Sequence, residues 1–207
     1  MAPPDTRTQL LDAAEHLFAE RGFKGTSVRA ITELAHANLA AVGYHFGSKA
    51  ELLAAVTRRV IEPITAAQTA GLDRLLAQTP DPSVTDLVEA FAGPMFDQMR
   101  AGDERGARTS RLIMRIFGDP SDEVRAWTGS VEATARDRYL SAFTRALPDL
   151  SPDELHFRIR GILAVAAVDR ADLHNQPPAA TPLPSDQARR WAITFLTAAM
   201  TAPPTKP

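Results

Sequence analysis

The stretch Thr26–Lys49, which reads TSVRAITELAHANLAAVGYHFGSK, decides the fold of this chain. Its apolar residues recur every three or four positions in two short runs, a spacing that predicts two short amphipathic helices. The side chains of Thr26 and Ser27 supply oxygens that can cap the first of these helices. The apolar face of the first run is Val28, Ile31 and Leu34, and that of the second run is Leu39, Val42 and Phe46.

A longer helix is predicted before this stretch, from Asp5 to Arg21, where leucine, alanine and phenylalanine follow the same period until Gly22 ends it. Three helices in succession, with a tight turn between the second and the third, are the layout of a helix-turn-helix. In that motif the last helix enters the major groove of DNA. We therefore expect a DNA-binding domain over residues 1–48 and a second, helical domain over residues 49–207.

The third helix has a face that its own packing does not use. Because Leu39, Val42 and Phe46 complete the buried face, Tyr44 and His45 are expected to point outward beside two alanines. Small side chains there let the helix backbone approach DNA closely. The spacing alone leaves an alternative open, in which Tyr44 packs under the fourth helix and His45 is solvated or caps a helix.

The rest of the chain adds only helical patterns. Ser48 and Glu51 have the spacing of a capping box and begin a fourth helix, which we expect to kink or break at Pro63. No stretch shows the alternation of a strand, so the fold class is all-α with about nine helices. Further helices are predicted over 84–100, with a kink at Gly93–Pro94, over 107–117 and 120–146, from Ser151 to about His174 and from Ser185 to about Met200, with a loop over Asn175–Pro184.

Composition and charge restrict the function classes. The chain contains no cysteine, its five histidines form no ligand-spaced cluster, and it has no hydrolase, phosphate-binding or metalloprotease motif. Neither an enzyme nor a metal or cofactor site is therefore expected. No signal peptide and no run of 18 apolar residues occur, which favours a cytoplasmic protein away from membranes. Residues 1–60 hold 7 Lys and Arg against 6 Asp and Glu, so charge alone does not indicate DNA binding.

The helix-turn-helix stretch closely resembles the signature of the TetR family of bacterial transcriptional repressors. The resemblance covers roughly residues 7–57 and includes LLDAAEHLFAERGFKGTS and AELLAAV on either side of the recognition helix. The wording NLAAVGYHFGSK is most similar to the fatty-acid-responsive subgroup, and RLIMRIFGDPSDEVR and RALPDLSPDELHFRIRGIL resemble its regulatory domain. The resemblance implies a repressor that an apolar small molecule, with a fatty acid or acyl-CoA as the leading candidate, releases from a palindromic operator.

Position by position, the resemblance also implies which residues bind DNA. Helix N-termini and lysine favour phosphates, while tyrosine and histidine can serve phosphates or base edges. Two positions depart from the family pattern. His36 stands where a glycine, often with positive φ, is usual, and Gly43 stands where Tyr or Asn is usual, at up to about 1 kcal/mol of helix propensity. The implied residues are Thr26, Ser27 and Arg29 on the second helix, Asn38, Ala40, Ala41, Gly43, Tyr44 and His45 on the third, and Lys49 on the fourth.

The last two helices are more apolar than a surface helix requires. Residues 161–168, GILAVAAV, are apolar all round, and the final helix carries several large apolar residues with alanines between them. The excess predicts a four-helix homodimer interface, as the resemblance also implies, and the alternative is the core of a monomer. Two-fold symmetry would place two recognition helices about 34–36 Å apart on a near-palindromic operator.

An apolar effector pocket is predicted between these two parts of the chain. Methionine and phenylalanine are enriched there, which favours a flexible apolar cavity, and two arginines could meet a carboxylate. The alternatives are an ordinary core and internal ion pairs. The alternative function is a small-molecule binding or protein-interaction module that has weak or lost DNA affinity. The candidate ligand-binding residues are Phe91, Met95, Met99, Leu112, Arg115, Trp127, Tyr139, Phe143 and Arg160.

Overall fold

The computed structural model describes residues 5–99, 104–117, 133–171 and 185–205. Within these ranges the regular secondary structure is nine α-helices and no strand, which confirms the all-α prediction. The predicted start of a helix at residue 120, Trp127 and the loop Asn175–Pro184 lie outside the described residues. The helices are α1 Thr6–Arg21, α2 Val28–Leu34, α3 Ala40–Phe46, α4 Lys49–Gln78, α5 Val84–Met99, α6 Glu104–Phe117, α7 Ala133–Ala146, α8 Pro152–Ala171 and α9 Ser185–Thr201.

The helix ends follow the local signals in the sequence. The Asp5 carboxylate accepts a hydrogen bond from the Thr8 amide at 2.7 Å and caps α1, and Gly22 follows α1 with a φ of 70°. Ser48 and Ser151 likewise cap α4 and α8, each accepting a hydrogen bond from the amide three residues later. Side chains thus satisfy backbone amides that a helix N-terminus otherwise leaves unpaired.

The chain forms two compact units, and the boundary between them falls within α4. One unit comprises Met1–Pro63 and Ala107–Val131, and the other comprises Ile64–Gly106 and Glu132–Pro207. Helix α4 continues through Pro63, so it does not break at this proline. Similarly, α5 runs continuously through Pro94.

The core of the first unit is built on α1 and completed by α2, α3, α4 and α6. Leu10, Ala14 and Phe18 of α1 are fully buried, as are Ile31 of α2 and Val42 of α3. Two predicted inward residues are not buried, because Leu34 is 47% and Leu39 is 58% exposed. The reason for Leu34 is helix length, since α2 has only seven residues, just under two turns. The reason for Leu39 is its position, because it precedes α3 rather than lying within it.

A group of charged residues joins α4 to α1 inside the first unit. The Arg59 guanidinium donates to the Asp12 carboxylate at 2.7 Å and to the carboxylate of Glu15. Glu15 is buried, so its charge is compensated by a partner rather than by water. The two acidic side chains hold the pKa of Arg59 above its ordinary value against the opposing effect of burial.

The second unit has an aromatic core. The ring centroids of Phe91 and Tyr139 are 4.8 Å apart, and those of Phe91 and Phe143 are 6.5 Å apart. The Tyr139 hydroxyl donates to the Gln68 carbonyl at 2.9 Å, and the Gln68 amide donates to the Phe91 carbonyl at 2.8 Å. The polar atoms of this core are therefore paired, and burial raises the pKa of the Tyr139 hydroxyl.

Gly93 in α5 makes room for a side chain of α9. A Cβ atom at this position would lie 2.7 Å from the Arg189 guanidinium. That guanidinium pairs with the carboxylate of Glu89 and lies 3.8 Å from that of Asp97, both on α5. The glycine that suggested a kink in the sequence thus accommodates an ion pair between two helices.

The part of the chain that the structure describes shows neither a helix that could span a membrane nor a cluster of metal ligands. None of its helices combines the length and hydropathy needed to cross a bilayer. Its His, Asp and Glu side chains also form no group of three or more that could hold a metal ion.

Candidate DNA-binding site

The turn between α2 and α3 has the left-handed backbone that its sequence position predicted. His36 has a φ of 51°, in the region that glycine adopts without steric cost. The turn is held by hydrogen bonds from the His36 amide to the Glu33 carbonyl at 3.2 Å and from the Ala37 amide to the Thr32 carbonyl at 2.9 Å. The angle between α2 and α3 is therefore built at the expense of local strain at His36.

Thr26 lies inside the first unit rather than on its surface. Its side chain is buried, and its hydroxyl donates to the carbonyls of Leu17 at 3.1 Å and Gly22 at 2.8 Å. A hydroxyl held in this way does not face a phosphate. The implied phosphate contact of Thr26 is therefore replaced by a structural role, in which Thr26 ties the start of α2 to the end of α1.

Lys49 is also partly internal. Its ammonium group donates to the Thr26 carbonyl at 2.7 Å and lies 4.2 Å from the centroid of the Phe23 ring. Partial burial lowers the pKa of the Lys49 amine below its ordinary value. These contacts fix the first turn of α4. Because a lysine ammonium has three N–H donors, Lys49, which is half-buried, keeps further donors for another partner.

Three implied DNA contacts from polar side chains lie on the outside of the motif. The Ser27 hydroxyl accepts a hydrogen bond from the Ala30 amide at 3.1 Å and caps α2. The Asn38 side-chain oxygen accepts one from the Ala40 amide at 2.9 Å, just before α3. The exposed guanidinium of Arg29 pairs with Glu33 at 3.0 Å on the same helix, and such surface pairs contribute at most about 1 kcal/mol.

The outer face of α3 carries an unusually exposed aromatic residue. Tyr44 is 86% exposed, and its ring packs edge-on against His45 with centroids 5.0 Å apart. Gly43 and Ala40 are exposed beside it, and no atom lies within 4 Å of where a Gly43 Cβ would be. The alternative in which Tyr44 packs under α4 is therefore wrong. Ala41 and His45 are half-buried at the edges of this face.

We use the term outer face of the motif for the exposed residues that the sequence predicted to bind DNA. They are brought together on α2, α3 and the turn between them, in a single unit of the structure. A helix face with one phenol, small neighbours and polar groups at its flanks can enter a groove and present hydrogen-bonding atoms to bases and phosphates. The outer face comprises Ser27, Arg29, Asn38, Ala40, Gly43 and Tyr44.

Sequence reasoning missed Arg7, which lies beside this site. Its guanidinium carbon lies 5.2 Å from the centroid of the Phe46 ring at the end of α3. Arg7 belongs to the first turn of α1, and the periodicity of α1 marks its position only as solvent-exposed. A contact between the start of one helix and the end of another carries no signal in local spacing.

The candidate ligand-binding residues do not form one described pocket. Phe91, Tyr139 and Phe143 meet in the core of the second unit, where Met95 is buried as well. Leu112 is buried in the first unit, and Arg160 is exposed on α8. Trp127 and the side chain of Met99 lie outside what the structure describes.

Arg115 has a structural partner instead of a place beside these aromatic residues. Its guanidinium donates to the Glu20 carbonyl at 3.0 Å, in the last turn of α1. A cation at this place also compensates the negative end of the helix dipole. Arg115 thus joins α6 to the end of α1 within the first unit.

The surface of α8 and α9 carries a groove of about 510 Å³. Three large apolar side chains are exposed on these helices, Phe157, Trp191 and Phe195, and Phe157 is 69% exposed. The alternative in which the last two helices are only the core of a monomer does not account for these exposed rings. The wall of the groove includes Ile162, Val165, Leu196, Met200 and Pro203.

Comparison with known proteins identifies the family. Residues 89–199 match the family described as "Tetracyclin repressor-like, C-terminal domain", and residues 10–56 match "Bacterial regulatory proteins, tetR family". The chain belongs to the TetR family. The first match contains α7, α8 and α9 up to residue 199, and the second contains α2, α3 and the whole outer face of the motif. Neither description specifies the fatty-acid-responsive subgroup.

Relatives of known type match the DNA-binding part of this TetR-family chain. Over 56 residues it is 36% identical to the HTH-type transcriptional repressor AcnR of Corynebacterium efficiens, a match covering 27% of this chain and 30% of that protein. Over 52 residues it is 42% identical to the HTH-type transcriptional regulator TtgR of Pseudomonas putida, covering 25% of each. The similarity thus spans under a third of these relatives. TetR-family proteins are DNA-binding regulators rather than enzymes, in agreement with the lack of catalytic motifs.

The similarity to solved structures extends over nearly the whole chain. A putative tetR family transcription regulator from Shewanella sp. PV-4 superposes with a TM-score of 0.63 at 16% identity, covering 96% of this chain and 95% of that one. At this identity the similarity establishes the TetR fold and not the ligand.

Proposed function

We propose that this TetR-family protein is a homodimeric transcriptional repressor that an apolar small molecule releases from a palindromic operator. The observation that carries the proposal is the part of the outer face of the motif that lies on α3. A tyrosine that is 86% exposed, next to Gly43 and Ala40, stands on a helix-turn-helix whose core is complete without it. A short helix with so exposed an aromatic ring is explained by a partner that covers it.

The geometry suits the major groove of DNA. Ala40 and Gly43 carry little or no side chain, so the backbone of α3 can approach base edges closely while Tyr44 donates or accepts a hydrogen bond. Arg29 can exchange its weak pair with Glu33 for a phosphate, because a phosphate offers a full charge at a similar distance. Lys49 would hold the DNA backbone with its remaining donors.

The dimer would form through the face of α8 and α9. The exposed rings of Phe157, Trp191 and Phe195 form the kind of apolar surface that a symmetric interface buries. Gly161 and Ala199 line the groove between these helices, and small residues there permit close packing of a second helix pair. In this proposal residues 1–48 bind DNA, and residues 49–207 dimerise and bind the effector.

The effector proposal is a fatty acid or an acyl-CoA. The support is the aromatic core of the second unit, where Phe91, Tyr139 and Phe143 contact one another and Met95 is buried. Arg160 is exposed on the same unit and is available to a carboxylate. Binding would bias α4, which belongs to both units and contains Pro63 at their boundary, and would thereby change the spacing of the two recognition helices.

A mobility-shift experiment tests both parts of the proposal. The duplex is the promoter region of the protein's own gene, titrated over a salt series with and without palmitoyl-CoA or palmitate. We expect a dimer on a near-palindrome whose affinity falls steeply with salt, because phosphate contacts release counterions. Release by other apolar compounds alone would retain the repressor and reject the acyl effector. Binding no tighter than to scrambled DNA would reject the repressor.

A second candidate function is a binding module of the same fold with weak DNA affinity. The strain at His36 and the missing side chain at Gly43 favour it, since both affect the recognition helix directly. The variants His36→Gly and Gly43→Tyr restore the residues usual in the family. If the double variant acquires sequence-specific binding that the natural chain lacks, the second candidate is supported.

A further inference from the structure

Arg7 occupies a defined position next to the end of α3. Its side chain is exposed at the first turn of α1, and its guanidinium carbon lies 5.2 Å from the centroid of the Phe46 ring. Phe46 is the last residue of α3, and its ring is half-buried. The arginine therefore makes a cation–π contact at the end of the candidate recognition helix, although it is remote from that helix in the sequence.

The neighbouring carboxylate does not hold Arg7 in a tight ion pair among the described contacts. The Asp5 side chain instead accepts a hydrogen bond from the Thr8 amide at 2.7 Å, which turns it into the first turn of α1. This backbone hydrogen bond is the largest cause of the lowered pKa of Asp5, and the charge of Arg7 is a minor one. The Asp5 carboxylate is thus held chiefly by the Thr8 amide and not by Arg7.

A guanidinium stacked on an aromatic face is prepared to bind an anion. In such a stack the ring covers the flat side of the guanidinium, and the five N–H donors in its plane can bind phosphate oxygens in a bidentate manner. The stack also restricts side-chain rotamers before binding, so less entropy is lost when the phosphate is contacted. Arg7 therefore has both the chemistry and the preorganisation of a phosphate contact.

The length of α3 places this contact at the edge of the groove. Its seven residues span about 10 Å, and the major groove is about 12 Å wide. Where α3 lies across the groove in the proposed complex, groups at its ends come close to the sugar-phosphate strands that border the groove. Arg7 lies at such an end through its contact with Phe46.

We propose that Arg7 is a further DNA-binding residue, which contacts a backbone phosphate while Phe46 positions it. The inference rests on the proposed repressor function and adds one phosphate contact in each protomer. A phosphate contact fixes register on the duplex and carries no base specificity of its own. Arg7 thus contributes equally to operator and unrelated DNA.

The test measures how DNA affinity depends on salt for Arg7→Gln. The probes are a duplex from the promoter of the protein's own gene and a scrambled duplex of equal length, titrated from 50 to 300 mM KCl, roughly the range where counterion release dominates. Two contacts per dimer should reduce the slope of log K against log salt by about 1.8 on both duplexes. Arg7→Lys keeps the charge and should restore most of the slope.

The matched control is Arg145→Gln, which removes an exposed arginine on α7 of the second unit and should leave the slope unchanged. Thermal melts of each variant verify folding. An unchanged slope for Arg7→Gln overturns the inference, even where the affinity falls, because such a loss would be structural. Failure of the natural protein to bind either duplex would reject the repressor function itself, a result that the unsubstituted chain shows before any variant is made.

Discussion

At the residue scale, His36 is the position where sequence and backbone conformation conflict. An L-residue with a φ of 51° carries a steric cost that glycine avoids, on the order of 1 kcal/mol. We expect His36→Gly to raise the free energy of unfolding by up to about 1 kcal/mol, because relief of strain exceeds the added flexibility of the unfolded chain. Urea denaturation followed by circular dichroism measures this difference.

The control for this prediction is Ala37→Gly, one residue further along the same turn. The structure records a positive φ among non-glycine residues at His36 and not at Ala37, so glycine at 37 should cost about 0.5–1 kcal/mol. Equal losses for the two variants would show that His36 is not strained.

Single residues also show what the sequence could not reveal. Positive φ at residue 36 was predictable from the resemblance to the TetR family, in which a glycine, often with positive φ, is usual at this place in the turn. The burial of Thr26 and the contact of Arg7 with Phe46 were not, since both depend on residues of another helix or of its end. Hydrophobic periodicity reports which face of a helix is apolar, and it is silent on which neighbour that helix meets.

At the element scale, the recognition helix has two glycines with opposite requirements. Gly43 lies within α3 in open surroundings, so an alanine there gains helix propensity of up to about 1 kcal/mol. Gly47 ends α3 with a φ of 82°, so an alanine there should cost about 1–2 kcal/mol. We expect Gly43→Ala to stabilise the protein and Gly47→Ala to destabilise it in the same urea titration. Destabilisation by Gly43→Ala would mean that α3 is not regular there.

A second element-scale feature is the attachment of the chain after α9 to α8. The Arg158 guanidinium donates to the carbonyls of Met200 at 2.8 Å and Ala202 at 2.7 Å, and to the Glu154 carboxylate at 2.6 Å. Glu154 in turn accepts a hydrogen bond from the Thr205 amide at 3.3 Å. One ion pair thus caps the last turn of α9 and fixes the segment that follows it.

This attachment predicts a dependence of stability on acid. The hydrogen bond from Arg158 is the main cause that lowers the pKa of Glu154 below its ordinary value in the folded state. The resulting stabilisation is present above the pKa of the unfolded chain and is lost as the pH falls through the lower folded value. We expect Glu154→Gln to lower the Tm at pH 7, and we expect this difference in Tm to shrink as the pH falls through the lowered pKa of Glu154. Asp149→Asn, at an exposed position before α8, is the control and should show no such convergence.

At the scale of the whole molecule, the helix order followed from the sequence more fully than the assembly of the units. Proline and glycine marked where helices end, and periodicity marked their apolar faces, so most boundaries agree within a few residues. At Pro63 the sequence predicted a kink or a break, and α4 does not break there; α5 continues through Pro94, in agreement with its predicted bounds. The effector pocket was placed from composition alone, which does not determine which side chains meet.

In the proposed complex, operator binding requires a dimer. Trp191 and Phe195 are 55% and 60% exposed on α9, and Phe195 lines the groove on α8 and α9. Aromatic residues at the centre of an interface typically contribute about 2 kcal/mol or more each. We therefore expect the double variant Trp191→Ser, Phe195→Ser to raise the dimer Kd at least about 100-fold, measured by sedimentation velocity, while its helix content is retained because these side chains are exposed.

The consequence for DNA follows from symmetry. A monomer presents one recognition helix and contacts one half-site, so the variant should lose most of its operator affinity while scrambled DNA is affected less. Leu34→Ser removes an exposed apolar residue from the first unit and should leave the protein dimeric, which makes it the matched control. If the double variant remains a dimer and binds the operator as the natural protein does, the face of α8 and α9 is not the interface. The two recognition helices would then have to be paired through another surface of the chain.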